Sequence, residues 1–420
     1  MAKSIILITL LLLIIISNSQ AEISADLDAI VISTYQQIHA NPELGNEEFK
    51  TQALIIEKLT EFGFTEFLQS QKAPTAVIAV LDSGKAGPTI ALRADMDARR
   101  IQEDQNNNPR SKIDGVMHNC GHDAHTAALL GSAYYLAENR DTFTGKIVFV
   151  FQPAEEVAGG ADDIVNEGIL ERLNVEAIFA QHVFNGLPVG TLVMSSGASL
   201  AGSNYFTLTI KGKGSHAAVP SEGSDTLVAA AKILVEFSEM PARAFHIIES
   251  PLIITPTQIS SNANSSNIIP DEIVIKGTIR AFNDLFEAYN NEETIESLLK
   301  KRISGLAQAY GLNVELDIRK GSPPTINNDA LYQKTLTAFR ASWQGKLKLD
   351  SEKGMFSEDF SYYTKSIPAL YVNFGIAKDG LGENGVHTSK FNIHPDALPY
   401  GVRALVYLAQ LHTRGEITSY

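Results

Sequence analysis

The sequence has 420 residues, of which 44% are hydrophobic and 20% are charged, a composition typical of a globular protein with more than one domain. Its formal net charge of −14 excludes nucleic acid as an expected partner, because phosphate backbones are bound by clustered lysine and arginine. The single cysteine, Cys120, excludes an internal disulfide.

Residues 1–21 have the pattern of a secretory signal peptide. Lys3 supplies a positive charge, Ile5 to Ile16 is an apolar run, and Ser19-Gln20-Ala21 is typical of a cleavage site. Because a run of about a dozen residues is short for a membrane span, we favour a cleaved signal over an uncleaved N-terminal anchor. We therefore expect an exported protein, periplasmic or secreted, with no stable membrane span once the signal is removed. In such a protein a lone thiol is either a metal ligand or a buried bystander.

The first half of the mature chain combines helices with buried strands. Hydrophobic periodicity predicts helices at Leu27–Ile38, at Thr51–Phe62 and from about Ala124. It predicts strands at Thr75–Leu81, Pro88–Arg93, Lys146–Gln152 and Glu176–Val183. Three of these strands end in side chains of the kind that bind ligands. Asp95 and Asp97 follow one strand, Glu155 and Glu156 follow the next, and His182 ends the last. Open α/β sheets place their sites at such strand ends.

The segment from Gly115 to His125 falls between those strands and holds three histidines, the cysteine and an aspartate. Cys120 and His122 are two residues apart, and thiolate and imidazole are the usual ligands of zinc-like ions. For one such pair alone, a buried cysteine beside surface histidines is the commoner explanation. Its coincidence with three strand ends favours a metal site.

The second half of the chain begins with a different pattern. From about Ser196 the order is β-α-β-β-α-β, the split ferredoxin-like arrangement. The elements are predicted at Tyr205–Ile210, Asp225–Met240, Leu252–Ile259, Glu272–Arg280, Leu285–Tyr310 and Asn313–Ile318. The first pattern then resumes, with elements at Asp329–Trp343, Ala369–Phe374 and Pro395–Leu411.

The predicted fold is therefore α/β. A catalytic domain with a mixed, mostly parallel sheet and flanking helices occupies residues 22–195 and 320–420. It is interrupted by a smaller α+β ferredoxin-like domain at residues 196–319.

Metal-assisted hydrolysis of an amide requires cations, a carboxylate base and donors for the oxyanion. The candidate ligands for the cations are Cys120, His122, Glu156, His182 and His387. Glu155 stands beside a ligand and is the candidate base, because two adjacent glutamates after a strand cannot point the same way. A glutamate pair taken alone is more often a solvated loop.

Five blocks of sequence resemble one known family. They are His39–Gly45, Leu92–Asp97, Gly115–His125, Phe151–Glu156, and Asn267–Asp271 with Gly277–Arg280. On these the chain resembles the amidohydrolase group of the aminoacylase and carboxypeptidase G superfamily. That group includes hippurate hydrolases, N-acyl-amino-acid amidohydrolases and auxin–amino-acid conjugate hydrolases.

The resemblance implies a site with two divalent ions per subunit. The mixed sulfur, nitrogen and oxygen donors fit zinc or manganese, with cobalt or nickel as alternatives. Cys120 would bridge the ions, and the set would be completed by His122, Glu156, His182 and His387. Glu155 would be the general base.

The resemblance also implies that the inserted domain is a lid and a dimerisation domain of a homodimer or a tetramer. From that lid His216 would reach the neighbouring subunit's active site and stabilise the oxyanion. Asn267 and Arg280 would bind the substrate, in particular its carboxylate.

Two departures from the family pattern stand out. Arg99-Arg100 occupies the place where the family usually has Leu-Pro, and the two arginines are either solvated or line the substrate entrance. His394 competes with His387 as the last ligand. We prefer His387, because Gly385–Ser389 matches the family block.

The function expected from the sequence is an exported metal-dependent amidohydrolase. It would cleave N-acyl-L-amino acids, hippurate-like or related conjugates, to a carboxylic acid and a free amino acid. The alternative within catalysis is a metallo-carboxypeptidase or dipeptidase on the same scaffold. An exported binding protein without activity is disfavoured by Glu155 and the complete ligand set. A Cys120–histidine nucleophile pair is disfavoured because a metal-bridging thiolate attacks poorly.

Overall fold

The computed structural model describes residues 25–414, except for residues 158, 249, 290–292 and 350–352. The predicted signal peptide, residues 1–21, lies outside the described residues. Within them the chain forms two compact units. The first contains the described chain up to Gly197 and resumes at Ile326, and the second is Ala198–Thr325 together with Lys353–Ser361. The insertion predicted at 196–319 therefore lies slightly earlier than this second unit and does not include Lys353–Ser361.

The elements are numbered along the described chain. The helices are α1 (Ala25–His39), α2 (Phe49–Glu61), α3 (His122–Glu138), α4 (Gly160–Asn166), α5 (Ile169–Arg172), α6 (Thr226–Ala244), α7 (Ile295–Ala309), α8 (Asp329–Ser342), α9 (Ser361–Ser366) and α10 (Ala397–Thr413). The strands are β1 (Glu66–Leu68), β2 (Val77–Asp82), β3 (Thr89–Asp95), β4 (Lys146–Gln152), β5 (Ala177–Pro188), β6 (Thr191–Met194), β7 (Gly197–Leu200), β8 (Gly202–Lys211), β9 (Ser215–His216), β10 (Leu252–Ser261), β11 (Ile268–Ile269), β12 (Glu272–Ala281), β13 (Ala288–Tyr289), β14 (Glu293–Thr294), β15 (Asn313–Lys320), β16 (Thr325–Asn327), β17 (Lys346–Leu349) and β18 (Ala369–Ala377).

The first unit is built on a sheet in the order β1-β2-β4-β3-β5-β18-β6-β17. The central pairs β4/β3, β3/β5 and β5/β18 are parallel, as is the edge pair β6/β17, whereas the other neighbours are antiparallel. Strand β4 is buried from Ile147 to Gln152 because both faces of the sheet are covered, which explains its continuous apolar run. The prediction of a mixed, mostly parallel sheet with flanking helices is confirmed.

Helix α3 lies in the middle of this unit and is buried over most of its length. It can be approached closely because Gly131 has no side chain. A Cβ atom at Gly131 would lie 2.4 Å from Cγ2 of Val31 in α1 and 2.9 Å from Cγ2 of Val402 in α10. The close contact of these three helices holds α3 in place, and the predicted metal motif is found at the beginning of this helix.

The second unit has the predicted ferredoxin-like order. Its antiparallel sheet runs β10-β12-β8-β15, with α6 following β8 and α7 preceding β15. Apolar side chains of both helices share one buried core with this sheet, for example Ile233, Ile303 and Ile275. The beginning of β8 and the end of β15 are neighbours, because Asn204 pairs with Lys320.

Several element boundaries differ from the prediction. Helix α7 begins at Ile295 rather than Leu285, because the hydroxyl of Thr294 caps it by accepting the N–H of Ser297 over 3.0 Å. Strand β5 continues to Pro188, so His182 lies inside the strand and not at its end. The short strands β1, β6 and β17 were not predicted, since periodicity is weak over so few residues. Among the described helices, none is both long and apolar enough to cross a membrane.

Candidate metal centre

The predicted ligands of the first unit converge in two groups of three. In one group a donor atom each of Cys120, His122 and His182 lie within 4.8 Å of one another. In the other, donor atoms of Cys120, Glu156 and His387 do the same. Cys120 belongs to both groups, which is the arrangement that a thiolate shared by two cations requires.

The position of Cys120 and His122 depends on the glycine between them. Helix α3 begins at His122 rather than near Ala124, and Gly121 just before it has a φ of 87°. That left-handed conformation is readily adopted only by glycine. A Cβ at Gly121 would also lie 2.5 Å from Cγ2 of Val183 in β5. The turn therefore brings the cysteine and the histidine to one side of the helix end.

The imidazole of His122 is oriented by a carboxylate. Its Nδ1 lies 3.1 Å from Oδ1 of Asp97, while Nε2 is buried and has no hydrogen-bond partner among the described residues. Burial opposes protonation, but the charge of Asp95 and the hydrogen bond to Asp97 raise the pKa of His122 well above its usual value. A cation at Nε2 would take the place of that second proton.

His182 is held in the neutral form by its surroundings. Its Nδ1 donates to the carbonyl oxygen of Val183 over 2.7 Å, which directs Nε2 to within 3.5 Å of Sγ of Cys120. Burial, followed by the charge of His125, lowers the pKa of His182 to about 3. Neutral imidazole with a free Nε2 is the form that binds a metal ion.

The two glutamates after β4 stand on a strained turn. Ala154 has a φ of 58°, and its N–H donates to Oε1 of Glu48 over 2.9 Å. The next two N–H groups, of Glu155 and Glu156, donate to Oδ1 and Oδ2 of Asp97 over 3.2 and 3.0 Å. Asp97 therefore positions both glutamates as well as His122. Glu48 was not predicted from the sequence as part of the site.

The carboxylates of this turn have different neighbours. Oε1 of Glu156 lies 3.1 Å from Nε2 of His387, and Oε2 lies 2.5 Å from Nη1 of Arg99. Burial opposes ionisation, yet the contact with His387 and the charges of His122 and Arg99 lower the pKa of Glu156 to about 2. Oε2 of Glu155 lies 3.9 Å from Nε2 of His122. Glu155 also forms a possible ligand group with His122 and Glu156, so the geometry permits it as a base or as a ligand.

His387 is placed by a left-handed backbone. Its φ is 63°, and its N–H donates to the carbonyl oxygen of Asn119 over 2.7 Å, next to Cys120. Such conformations in residues other than glycine are uncommon and concentrate at functional sites. The competing candidate, His394, instead contacts Asp379 and Asp396 and belongs to neither donor group.

A buried cluster of Asp95, His125 and Arg93 lies next to His122, whose Nε2 is 3.7 Å from Oδ2 of Asp95. Nδ1 of His125 lies 2.6 Å from Oδ1 of Asp95, and Nε2 of His125 accepts the N–H of Val183 over 2.9 Å. Asp95 also accepts a hydrogen bond from Arg93 over 2.8 Å. Because both ring nitrogens of His125 are engaged, this cluster supports the site rather than forming another one. Of this cluster, the sequence pointed only to Asp95, the carboxylate at the end of β3.

The donor set is suited to a divalent cation. Burial and the charge of Glu156 raise the pKa of the Cys120 thiol, so the thiolate would form only beside a bound cation. The unpartnered Nε2 of His122 points to the same requirement. Mixed sulfur, nitrogen and oxygen donors fit zinc, manganese, cobalt or nickel.

The predicted residues of the inserted unit form a separate pair. His216 in β9 and Asn267, just before β11, are exposed and adjacent, because the N–H of Ala217 donates to the carbonyl oxygen of Asn267 over 2.9 Å. Arg280, in β12, donates to Oγ of Ser357 over 2.7 Å. The structure therefore joins His216 with Asn267 and places Arg280 in a different contact.

The two arginines that depart from the family pattern, Arg99 and Arg100, have different surroundings. Arg100 is exposed. Arg99 is partly exposed, and its guanidinium is drawn to Glu156 and to the ring of His387.

Comparison with known proteins identifies relatives over nearly the whole chain. A model of peptidase family M20/M25/M40 matches residues 91–411. The IAA-amino acid hydrolase ILR1-like 2 of Arabidopsis thaliana is 35% identical over 395 residues, covering 93% of this chain and 88% of the relative. The N-acetyl-L-cysteine deacetylase of Bacillus subtilis is 35% identical over 373 residues, covering 89% and 85%.

A solved structure shares the fold. A dinuclear metal-binding peptidase of the M20 family from Bacillus subtilis superposes with a TM-score of 0.79 at 29% identity, covering 92% of this chain and 98% of the other.

Proposed function

Because the chain belongs to peptidase family M20/M25/M40 and is thus a hydrolase of amide bonds, we propose that it cleaves N-acyl-L-amino acids with the help of two divalent ions. The products are a carboxylic acid and a free amino acid. The sequence prediction of the family is confirmed. The substrate class, the ions and the individual roles below are proposals.

The observation that carries the proposal is the shared position of Cys120 in two donor groups. With Cys120, His122 and His182 would hold one ion, and Glu156 and His387 would hold the second. The relative of known structure is described as a dinuclear metal-binding peptidase. We assign zinc or manganese to both positions, with cobalt or nickel as alternatives.

The chemistry follows from the side chains around these positions. Divalent ions, when bound, polarise the amide carbonyl and make water a better nucleophile near neutral pH. The Glu155 carboxylate accepts a proton from the attacking water and delivers it to the leaving nitrogen, which departs as the amine of the free amino acid. His216 of a neighbouring subunit donates a hydrogen bond to the developing oxyanion, and Asn267 and Arg280 bind the substrate carboxylate.

Small N-acyl amino acids are favoured as substrates because of the relatives. An IAA-amino acid hydrolase and an N-acetyl-L-cysteine deacetylase are both named for cleaving an acyl group from an amino acid. The second candidate is a carboxypeptidase or dipeptidase, which the peptidase description of the family and of the solved relative supports.

We also propose that the protein is exported, periplasmic or secreted, and that it works as a homodimer or tetramer. Export rests on the pattern of residues 1–21. Dimerisation through the inserted unit rests on the family resemblance, and it makes the function of His216 testable.

The test combines metal analysis with a panel of substrates. We expect the purified protein to hydrolyse N-acyl amino acids faster than dipeptides, to lose activity with a chelator, and to regain it with divalent ions. Cys120→Ser should lose at least one ion, as measured by elemental analysis. Full activity in the chelator, or two retained ions in Cys120→Ser, would show that the proposal is wrong. Faster cleavage of dipeptides would favour the second candidate.

A further inference from the structure

The second proposed ion position has an arginine beside it. Nη1 of Arg99 lies 2.5 Å from Oε2 of Glu156 and 3.4 Å from both ring nitrogens of His387. It thus contacts two of the three donors of the second group. No arginine contact is found at Cys120, His122 or His182 in the described part of the chain.

The backbone of Arg99 is fixed beside the site. Its N–H donates to the carbonyl oxygen of Met117, and the N–H of Met117 donates to the carbonyl oxygen of Arg99, both over 3.1 Å. The preceding N–H, of Ala98, donates to the carbonyl oxygen of Glu43 over 2.7 Å. The backbone of Arg99 is therefore held beside the site, and its guanidinium moves only within the reach of the side chain.

The side chain of Arg99 is nevertheless free to leave. It is 39% exposed, whereas the Glu156 side chain is 8% exposed. A cation that binds Glu156 and His387 would lie beside this guanidinium, and the repulsion between the two positive charges favours departure of the arginine side chain. The arginine can then turn into solvent, so it hinders the second ion without blocking it.

We propose that Arg99 is a tethered competitor for the second ion, so that the two positions of one site bind divalent metal with unequal affinity. The inference rests on the proposed function, because it takes the two donor groups as ligands. The first ion, at Cys120, His122 and His182, is bound tightly. The second is bound when the free metal concentration is high enough to displace Arg99. Occupancy of the second position is thereby made sensitive to metal supply.

The test is a metal titration of the whole mature protein after removal of metal by a chelator. Cobalt is a suitable probe, because its absorption reports on coordination by the Cys120 thiolate, and equilibrium dialysis gives the number of ions bound. We expect the wild-type protein to bind the second ion at least tenfold more weakly than the first. Arg99→Leu should strengthen the second binding at least tenfold and leave the first unchanged. Arg100→Leu, which removes an exposed charge from the adjacent residue, should bind both ions with the wild-type affinities.

The outcomes separate this inference from the proposed function. Equal affinities in the wild type, or a second affinity in Arg99→Leu within twofold of the wild type, would overturn the role of Arg99. If Arg99→Leu does not fold, Arg99→Gln removes the charge while retaining a polar side chain and takes its place in the comparison. Two ions retained by Cys120→Ser would instead show that the donor groups are not the ligands.

Discussion

Oδ1 of Asp97 lies 3.1 Å from Nδ1 of His122, and the same carboxylate accepts the N–H groups of Glu155 and Glu156. One buried side chain thus orients an imidazole from the start of α3 and the turn after β4. Because these residues come from distant parts of the chain, Asp97 fixes the position of His122 relative to Glu155 and Glu156.

We expect Asp97→Asn to weaken metal binding about ten- to a hundredfold, the usual effect of removing a carboxylate behind a ligand histidine. The amide cannot accept from His122 and from both N–H groups as the carboxylate does. Metal titration of the purified variant, after its metal has been removed by a chelator, measures the change in affinity. Asp141→Asn alters an exposed aspartate and serves as the control. An unchanged affinity in Asp97→Asn would contradict the role given to this hydrogen bond.

Glu155→Gln tests the base. The substitution keeps the size of the side chain and removes the proton-accepting charge, so turnover should fall by roughly two to four orders of magnitude while metal content is kept. Steady-state kinetics with elemental analysis measure both. Glu57→Gln, on the exposed side of α2, is the matched control. Loss of an ion from Glu155→Gln would make Glu155 a ligand instead.

His39 should make stability dependent on pH. Its ring is buried, with Nδ1 2.6 Å from Asp123 and Nε2 3.0 Å from Glu103. Burial opposes protonation, but the hydrogen bonds to these two carboxylates raise the pKa of His39 from 6.5 to about 9. The protonated form therefore stabilises the fold fully below pH 6.5, and this contribution is lost as the pH rises through about 9. A shift of that size corresponds to about 3 kcal/mol.

Urea unfolding at pH 7 and pH 9.5 measures this contribution. We expect the wild type to lose more stability over that interval than His39→Gln, which cannot carry the charge. Asp123 and Glu103 do not titrate there, because their pKa values are lowered from the usual acidic range. Parallel losses in both proteins would show that His39 is not the group responsible.

His216 is tested by mixing inactive subunits. Glu155→Gln and His216→Ala should each be nearly inactive as homodimers, since loss of one oxyanion donor reduces the rate about a hundred- to a thousandfold. In a mixed dimer one site has an intact Glu155 and receives an intact His216 from the partner, so activity should return. The control mixes His216→Ala with a double variant that carries both Glu155→Gln and His216→Ala. Neither subunit of that mixed dimer has His216, so no activity should return. Lack of recovery, or a fully active His216→Ala homodimer, would end the hypothesis.

The sequence allowed the architecture and the donor residues to be predicted because both are encoded locally. The apolar run from Ile147 to Phe151 marks a strand buried on both faces, and Cys120 with His122 is a recognisable ligand pair. The start of α7 was missed because an apolar pattern continues from Leu285, whereas the helix begins only at its cap, Thr294.

The supporting residues could not be predicted, because their roles depend on contacts across long stretches of chain. Glu48 holds the N–H of Ala154, which is 106 residues away in sequence. In the folded chain burial raises the pKa of Glu48 to about 7, an environment that no local pattern indicates. The contact between Arg99 and Glu156 likewise joins residues 57 positions apart.

The pairing of Asn204 with Lys320 has a consequence for the history of the gene. Residues that face each other on antiparallel strands are about 5 Å apart, a gap that a short turn can close. A single recombination event can therefore add, delete or exchange the coding sequence between these positions while the chain on either side keeps its path. Such an exchange leaves the codons for Cys120, Glu156 and His387 in place, whereas it replaces those for His216, Asn267 and Arg280.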